Sequence, residues 1–306
     1  MPIYKIDLIC PLYKAEDYIE NLHKTLIMQK GNFELRIKYI LTKAKDDKTE
    51  EILNKLYVEY LTIEPKEFSH SLTREKAGLK SDADIIVFIT QDIIVKDELW
   101  LSNLTMPIIK GECEASFSRQ VCNNNSIERY TRIHNYPEKS RIVSKNDIDR
   151  LGIMTFFFSD ASSAISVKIY KELNGYDGKD LPTNEDMYFA YKLINKGYRI
   201  KYCADSQVIH SHEYSFWELF RRYFDQGIFL SQNNYLMKYK ANDSAFKMLK
   251  VVMIESLKEY NFRVLFNIIP NFLARFLGNK FGQNYKKISL ERRKKYSSNK
   301  SYWEGL

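Results

Sequence analysis

Glycine and proline are scarce in this 306-residue chain, at 11 and seven residues, which excludes a fibrous or low-complexity polymer. Cysteine is scarcer still. Cys10, Cys113, Cys122 and Cys203 stand far apart, and their spacing fits neither a zinc ribbon nor a CxxC redox pair, so they read as reduced thiols of a cytosolic protein. No run reaches the roughly 18 apolar residues that a bilayer span needs. The opening, MPIYKIDLIC, leads straight into a strand, without the basic region, apolar stretch and small-residue cleavage site of a secretory signal. What the chain has in quantity is aromatic side chains, 22 Tyr and 18 Phe, the mark of a well-packed globular protein. Its length suits one large α/β domain plus an appendage.

The net charge of +8 is uneven. Lys286, Lys287, Arg292, Arg293, Lys294, Lys295 and Lys300 face only Glu291 between residues 286 and 300, which leaves the rest of the chain close to neutral. A basic tail suits either nucleic acid or an anionic membrane, and charge alone does not separate them. A nucleic-acid binder, however, needs its charge clustered on a face of the folded domain, not in a tail, so no nucleic-acid partner is expected.

The stretch Asp84 to Val95, DIIVFITQDIIV, organises the remainder. Ile85 to Thr90 predicts a strand buried on both faces, as in a parallel sheet. Gln91 and Asp92 then interrupt it at the carboxyl end, where open α/β sheets bind ligands. Asp92 either caps the next helix or turn, or faces such a ligand. Upstream, a strand over Tyr4 to Cys10 broken by Pro11 precedes a helix from about Ala15 to Met28, with Tyr18, Ile19, Leu22 and Leu26 on one face. A second strand, Leu35 to Leu41, leads through the polar turn Thr42 to Asp47 into a helix near Lys48 to Tyr60. This is the βαβ rhythm of a parallel sheet. A short strand, Leu61 to Ile63, comes next, then a helix with Ser71 as N-cap and Arg74 in its first turn. Arg74 there is either solvated or meets a phosphate at the helix start.

Downstream, Trp100 to Lys110 predicts a helix and Ala115 to Ser118 a strand, whereas Asn123 to Arg150 shows no period and reads as a surface excursion. The segment FFFSDASSAIS, Phe156 to Ser166, returns to the core. A helix beginning at Glu185-Asp186 and stopped by Gly197 sets two acids in a first helical turn, where they either stabilise the helix dipole or supply a rigid base. Strand-like Tyr198 to Cys203 and Gln207 to Ile209 deliver His210-Ser211-His212. In extended chain, residues i and i+2 point the same way, so both imidazoles can face a metal. A helix, Phe216 to Gln226, carries Arg221, Arg222 and Tyr223. Beyond Tyr235, apolar and basic residues alternate from Met248 to Leu277. This predicts a helical hairpin divided or kinked at Pro270, packed on its own domain or lying on a membrane surface.

In order, Pro11-Leu12-Tyr13, Asp47-Lys48-Thr49, Arg74, Asp92, Asn184-Glu185-Asp186-Met187 and His210-Ser211-His212 resemble the family 2 glycosyltransferases of the GT-A fold. Glu67-Phe68-Ser69-His70, Thr90-Gln91-Asp92, Arg119-Gln120, Asn135-Tyr136-Pro137 and HSHEYSFWELFRRYFDQG resemble their bacterial rhamnosyltransferase branch. The likeness covers residues 1–235, leaving 236–306 as C-terminal amphipathic helices and a basic tail. It implies a Rossmann-like, mostly parallel sheet and inverting transfer of a sugar from a nucleotide donor, dTDP-L-rhamnose, to a lipid-linked cell-surface glycan. The enzyme would lie in the cytoplasm, peripheral on the inner face of the plasma membrane.

The resemblance also implies the roles. Asp92 matches the last Asp of the family's DxD motif, and His212, or His210, is a further ligand to Mg²⁺ or Mn²⁺. Asp186 is the base, and Glu185 orients it or holds the acceptor. Arg222 steadies the diphosphate, and Pro11, Tyr13, Thr42, Asp47, Arg74 and Gln91 line the nucleotide-sugar site. Gln91 stands where the first DxD Asp usually is, Thr42 where many relatives carry an Asp against the base, and Arg119-Gln120-Val121-Cys122 lacks a Pro common in the branch. A UDP-hexose donor is the rival within the class, and a basic nucleic-acid-binding protein or a scaffold without activity the rivals from other classes.

Overall fold

Ile85–Ile89 is buried along its whole length because alternate side chains enter two different cores. Ile85, Val87 and Ile89 pack with Leu8, Cys10, Ile19, Leu22 and Trp100 on one face of the sheet. Ile86 and Phe88 pack with Ile165, Tyr170 and Phe189 on the other. The structure, a computed structural model, describes residues 3–239 and 244–303.

In chain order the described residues form β1 (Tyr4–Leu12), α1 (Ile19–Ile27), β2 (Phe33–Thr42), α2 (Thr49–Lys55), β3 (Tyr60–Ile63), α3 (His70–Leu79) and β4 (Ile85–Ile89). Next come β5 (Ile94–Val95), α4 (Trp100–Ile109), β6 (Ala115–Val121), α5 (Ile127–Asn135), β7 (Arg141–Val143) and α6 (Ile148–Leu151). After these stand β8 (Ser162–Ser166), α7 (Val167–Glu172), α8 (Glu185–Asn195), β9 (Ile200–Ile209) and α9 (Phe216–Gln232). The chain closes with α10 (Ser244–Lys258), α11 (Phe262–Gln283) and α12 (Leu290–Tyr296). One mixed sheet runs β3-β2-β1-β4-β8-β6-β9-β5, with β7 paired to β9. Strands β3, β2, β1 and β4 are parallel, while β8 enters antiparallel between β4 and β6. The carboxyl ends of β1, β2 and β4 therefore open on one edge, as the βαβ rhythm requires.

Several local expectations are corrected. β1 continues through Pro11, which pairs with Ile40 after the ladder to β4 has ended at Ile9, so the missing N–H breaks nothing on that side. Helix α1 starts at Ile19 rather than Ala15, whose N–H goes to Thr49 Oγ1 at 2.7 Å. Helix α2 stops at Lys55, since residues from Tyr60 are taken by β3. The cap of α3 is Ser69, whose Oγ accepts from the Leu72 N–H at 3.2 Å. Ser71 instead donates to the Lys179 carbonyl, and Arg74 lies in the second turn. The stretch 123–150 holds α5, β7 and α6, and β9 is a single strand whose pairing with β6 slips between Cys203 and Gln207. Helix α11 runs unbroken through Pro270, because the carbonyl this residue strands belongs to Phe266 on the exposed face.

Two features bind the C-terminal helices to the rest. Helix α11 crosses α9 backbone to backbone at Gly227, Gly278 and Gly282. A Cβ on any of these would overlap the carbonyl oxygen of Asn279, Phe220 or Phe224 respectively. The buried carboxylate of Asp225, on α9, accepts from Ser297 Oγ at 2.6 Å, the Ser298 N–H at 2.8 Å and the Asn299 N–H at 3.2 Å. Asn299 Nδ2 then donates to the Pro182 carbonyl at 3.2 Å, three residues before Glu185.

Candidate active site

The edge formed by β1, β2 and β4 holds most of the residues that the sequence singles out. Gln91 clips the loop after β1, its Oε1 accepting from the Tyr13 N–H at 2.8 Å and its Nε2 donating to the Tyr13 carbonyl at 2.9 Å. Where a second acid usually stands, the chain thus has a brace for the wall of the cleft. Asp47 is turned inward, its Oδ1 accepting from the N–H of Thr49 at 2.9 Å and from its hydroxyl at 2.5 Å. Thr42, at the end of β2, is buried, and its hydroxyl has no hydrogen-bond partner among the described residues. A buried polar group left open at a ligand-binding edge calls for a polar partner from the ligand.

Asp92 meets both histidines. His210 Nε2 and His212 Nε2 lie 3.4 and 3.5 Å from Asp92 Oδ2 and 2.7 Å from each other. Burial works against the charge of Asp92, but the two histidines beside it hold its carboxyl well below the usual range. Burial pushes both imidazoles down, His212 to about 4. An ionised carboxylate beside two neutral imidazoles, all ligand atoms within 4.8 Å, is a donor set that suits a divalent cation. Arg222 comes up beside it from α9, its guanidinium 4.8 Å from the centre of the Tyr214 ring, which stacks on His212.

A second cluster gathers three carboxyl groups. Asn184 takes up a left-handed conformation, φ 60°, and sets Glu185 and Asp186 at the start of α8. Glu185 pairs with the buried guanidinium of Arg74 at 3.2 Å, so Arg74 faces an acid of the protein itself. Burial opposes the charge of Arg74, yet Glu185 and Asp160 raise its pKa above the ordinary value. Asp160, only 3 % exposed, accepts from Tyr176 Oη at 2.7 Å and Ser163 Oγ at 2.6 Å. Its backbone N–H reaches Asp186 Oδ2 at 3.4 Å, and the Met187 N–H donates to Asp186 Oδ1 at 2.7 Å. Burial, then the charges of Glu185 and Asp160, push the Asp186 carboxyl well above its usual range.

The two clusters are joined. Gln120 Oε1 lies 2.9 Å from His210 Nδ1, and Gln120 Nε2 donates to Ser159 Oγ at 2.7 Å, next in sequence to Asp160. Asp92, the histidines and Asp186, drawn from three separate parts of the chain, are thus linked across two side chains.

No family model matches the sequence. The O-antigen chain rhamnosyltransferase RfbN of Salmonella typhimurium is 32% identical over 309 residues, covering 99% of this chain and 97% of that protein. The chain belongs to this rhamnosyltransferase family. The O-antigen chain rhamnosyltransferase WbaN of Salmonella anatum is likewise 32% identical, over 87% of the chain and 86% of its own length. Among solved structures, Staphylococcus aureus TarS 1–349 in complex with UDP-GlcNAc aligns with a TM-score of 0.52 at 14% identity, covering 92% of both chains. The mannosyltransferase PcManGT of Pyrobaculum calidifontis, in complex with GDP-Man and Mn²⁺, aligns with a TM-score of 0.52 at 12% identity, over 99% of this chain and 85% of that one. At those identities the likeness is one of fold, and the transferase has the GT-A architecture that its sequence implies.

Sequence reading of the transferase misses Asp160, Gln120 as a linker, and Arg132, whose Nη1 donates to Gln120 Oε1. Asp160 sits in an apolar segment without a motif, and its place beside Asp186 depends on β8 crossing between β4 and β6. The nearest available signal was a lone acid inside a core-returning run, FFFSDASS.

Proposed function

We propose that this transferase moves L-rhamnose, with inversion, from dTDP-L-rhamnose to a lipid-linked O-antigen acceptor. The observation that carries the reading is the junction, through Gln120 and Ser159, of a cation-suited triad with the buried carboxyls of Asp160 and Asp186 at one end of the sheet. The relatives' names, which specify rhamnose and the O-antigen chain, support the choice of sugar and acceptor. The neighbours solved with UDP-GlcNAc and with GDP-Man and Mn²⁺ support a nucleotide-sugar donor and a divalent cation.

Asp92, His210 and His212 would hold the cation, Mg²⁺ or Mn²⁺, which when bound neutralises charge on the departing diphosphate. Arg222 adds positive charge beside that group. Asp186 takes the proton from the acceptor hydroxyl as its oxygen bonds to C1 of the sugar. The C1–O bond to the diphosphate breaks on the opposite face, and its electron pair leaves with the diphosphate. A raised pKa suits this base, since it strengthens the pull on the proton. Arg74 holds Glu185, so one acid is fixed while its neighbour stays free to react. Thr42, Pro11 and Tyr13 line the nucleoside end, with Asp47 and Gln91 bracing the loops that shape it. In a panel of donors offered with lipid-linked acceptor fragments, dTDP-L-rhamnose is expected to give transfer. Preference for a UDP-hexose overturns the sugar assignment.

Residues 1–235 would be the transferase domain, and 236–306 a helical part that docks it on an anionic membrane from the cytoplasmic side. Along α11, Phe262, Phe266, Ile269, Leu273 and Phe276 are spaced by four, three, four and three residues and all face solvent, Phe266 at 84% and Ile269 at 77% exposure. Exposed Arg263 and the basic residues Lys280, Lys286 and Lys287 accompany them. No helix among the described residues is long and apolar enough to cross a membrane, so the stripe would lie in the interface. Burial of such a side chain is worth about 1.5–3 kcal/mol. Replacing Phe266 and Ile269 together by Asp is therefore expected to lower binding to phosphatidylglycerol vesicles by about 10²-fold or more. Co-sedimentation unchanged by the double substitution rules this surface out as the docking face.

A further inference from the structure

Gln120 is 2% exposed and makes three polar contacts, all with side chains of the protein. Which way its amide faces is decided by Arg132. A guanidinium has donors and no acceptor, so the Gln120 atom beside Arg132 Nη1 must be the carbonyl oxygen. The amide nitrogen then points to Ser159 Oγ, 2.7 Å away. His210 Nδ1 lies 2.9 Å from that same carbonyl oxygen. Facing an acceptor, Nδ1 must carry the proton. The second neighbour of Nδ1, Arg132 Nη2, is farther off at 3.4 Å and would demand the opposite tautomer, with the proton on Nε2 aimed at His212 and Asp92.

We propose that Gln120 is a positioning residue that locks His210 into the tautomer whose Nε2 lone pair faces Asp92 and His212. Ser159 and Arg132 anchor the lock. This rests on the reading of Asp92, His210 and His212 as a cation site, and it adds the reason why a histidine beside an arginine serves there. An outer-shell partner that fixes ring orientation and proton position typically changes metal affinity by roughly 10- to 100-fold.

The test is Mn²⁺ binding by the full chain without donor or acceptor, measured by calorimetry and by the electron paramagnetic resonance signal of free Mn²⁺. Gln120→Met keeps the volume but offers no strong acceptor, and is expected to raise the Kd for Mn²⁺ by roughly 10- to 100-fold. Gln120→Glu still accepts from Nδ1–H and is expected to restore most of that affinity, although it loses the donor to Ser159. Ser159→Ala, which frees the amide at its far end, is expected to weaken binding by a smaller factor and serves as the reading should Gln120→Met fold poorly, as judged by its melting temperature. Equal Mn²⁺ affinity in wild type and a folded Gln120→Met overturns the role of Gln120 and leaves the cation site standing. A Gln120→Glu variant as weak as Gln120→Met also overturns it, since bulk packing would then explain the loss. Absence of Mn²⁺ binding by the wild type overturns both the site and the inference.

Discussion

Asp186→Asn is expected to lower kcat by about 10²- to 10⁴-fold while leaving the affinity for the nucleotide sugar unchanged. The side chain keeps its shape, and its one amide oxygen can still accept from the Met187 N–H, the shorter of the two contacts, while only the long 3.4 Å bond from the Asp160 N–H is given up, so the start of α8 stays in place. What is lost is a proton acceptor. The wild-type pH profile adds a signed check. Only the ionised form of Asp186 accepts a proton, and burial with Glu185 and Asp160 raises its pKa, so the acid limb of kcat should lie above the ordinary carboxylate range and the rate should rise with pH through it. Glu185→Gln removes one of the charges that raise it and is expected to move that limb to lower pH. Steady-state rates with dTDP-L-rhamnose across pH, alongside donor titration of the inactive variant, measure both. Turnover by Asp186→Asn at the wild-type rate excludes it as the base.

Removal of the cation should be almost as costly. Charge neutralisation by a divalent ion is worth several kcal/mol in such transfers, or about 10³-fold in rate. Asp92→Asn is therefore expected to lose Mn²⁺ binding and about that factor in turnover. EDTA should bring the wild type to the same residual rate and leave the variant where it is. The agreement of the two losses is the informative result, because an unfolded variant would also lose its residual rate and its cooperative melting transition. A wild type indifferent to EDTA rules out the cation, and with it the assignment of His210 and His212.

Both experiments target residues visible in the bare sequence, and the reason is physical. Ile85–Ile89 is buried on two faces and so reads as an apolar run. The first turn of α8 is written as acids before an apolar period, and the two histidines alternate off the end of β9. Each is a local pattern whose consequence is local. What escaped was non-local. Residue type alone points to Ser71 as the cap of α3, but tertiary contacts claim Ser71 for Lys179 and Leu181 and leave the cap to Ser69. Asp160 becomes part of the site only because an antiparallel strand is inserted between β4 and β6. Helix α5 lies in a segment rich in polar residues, yet it buries Ile127 and Tyr130 against Val252, Val264 and Ile268, which lie more than a hundred residues later. No window along the chain contains that information.

The Asp225 clasp extends to the acid cluster. Without Ser297, Ser298 and Asn299, the Asp225 carboxylate would lack the partners that offset its burial, and the Pro182 carbonyl would lack the amide that steadies the approach to α8. Residues 297–299 therefore steady the loop that leads to Glu185 and Asp186, and a change at Asp225 reaches the acids without touching them.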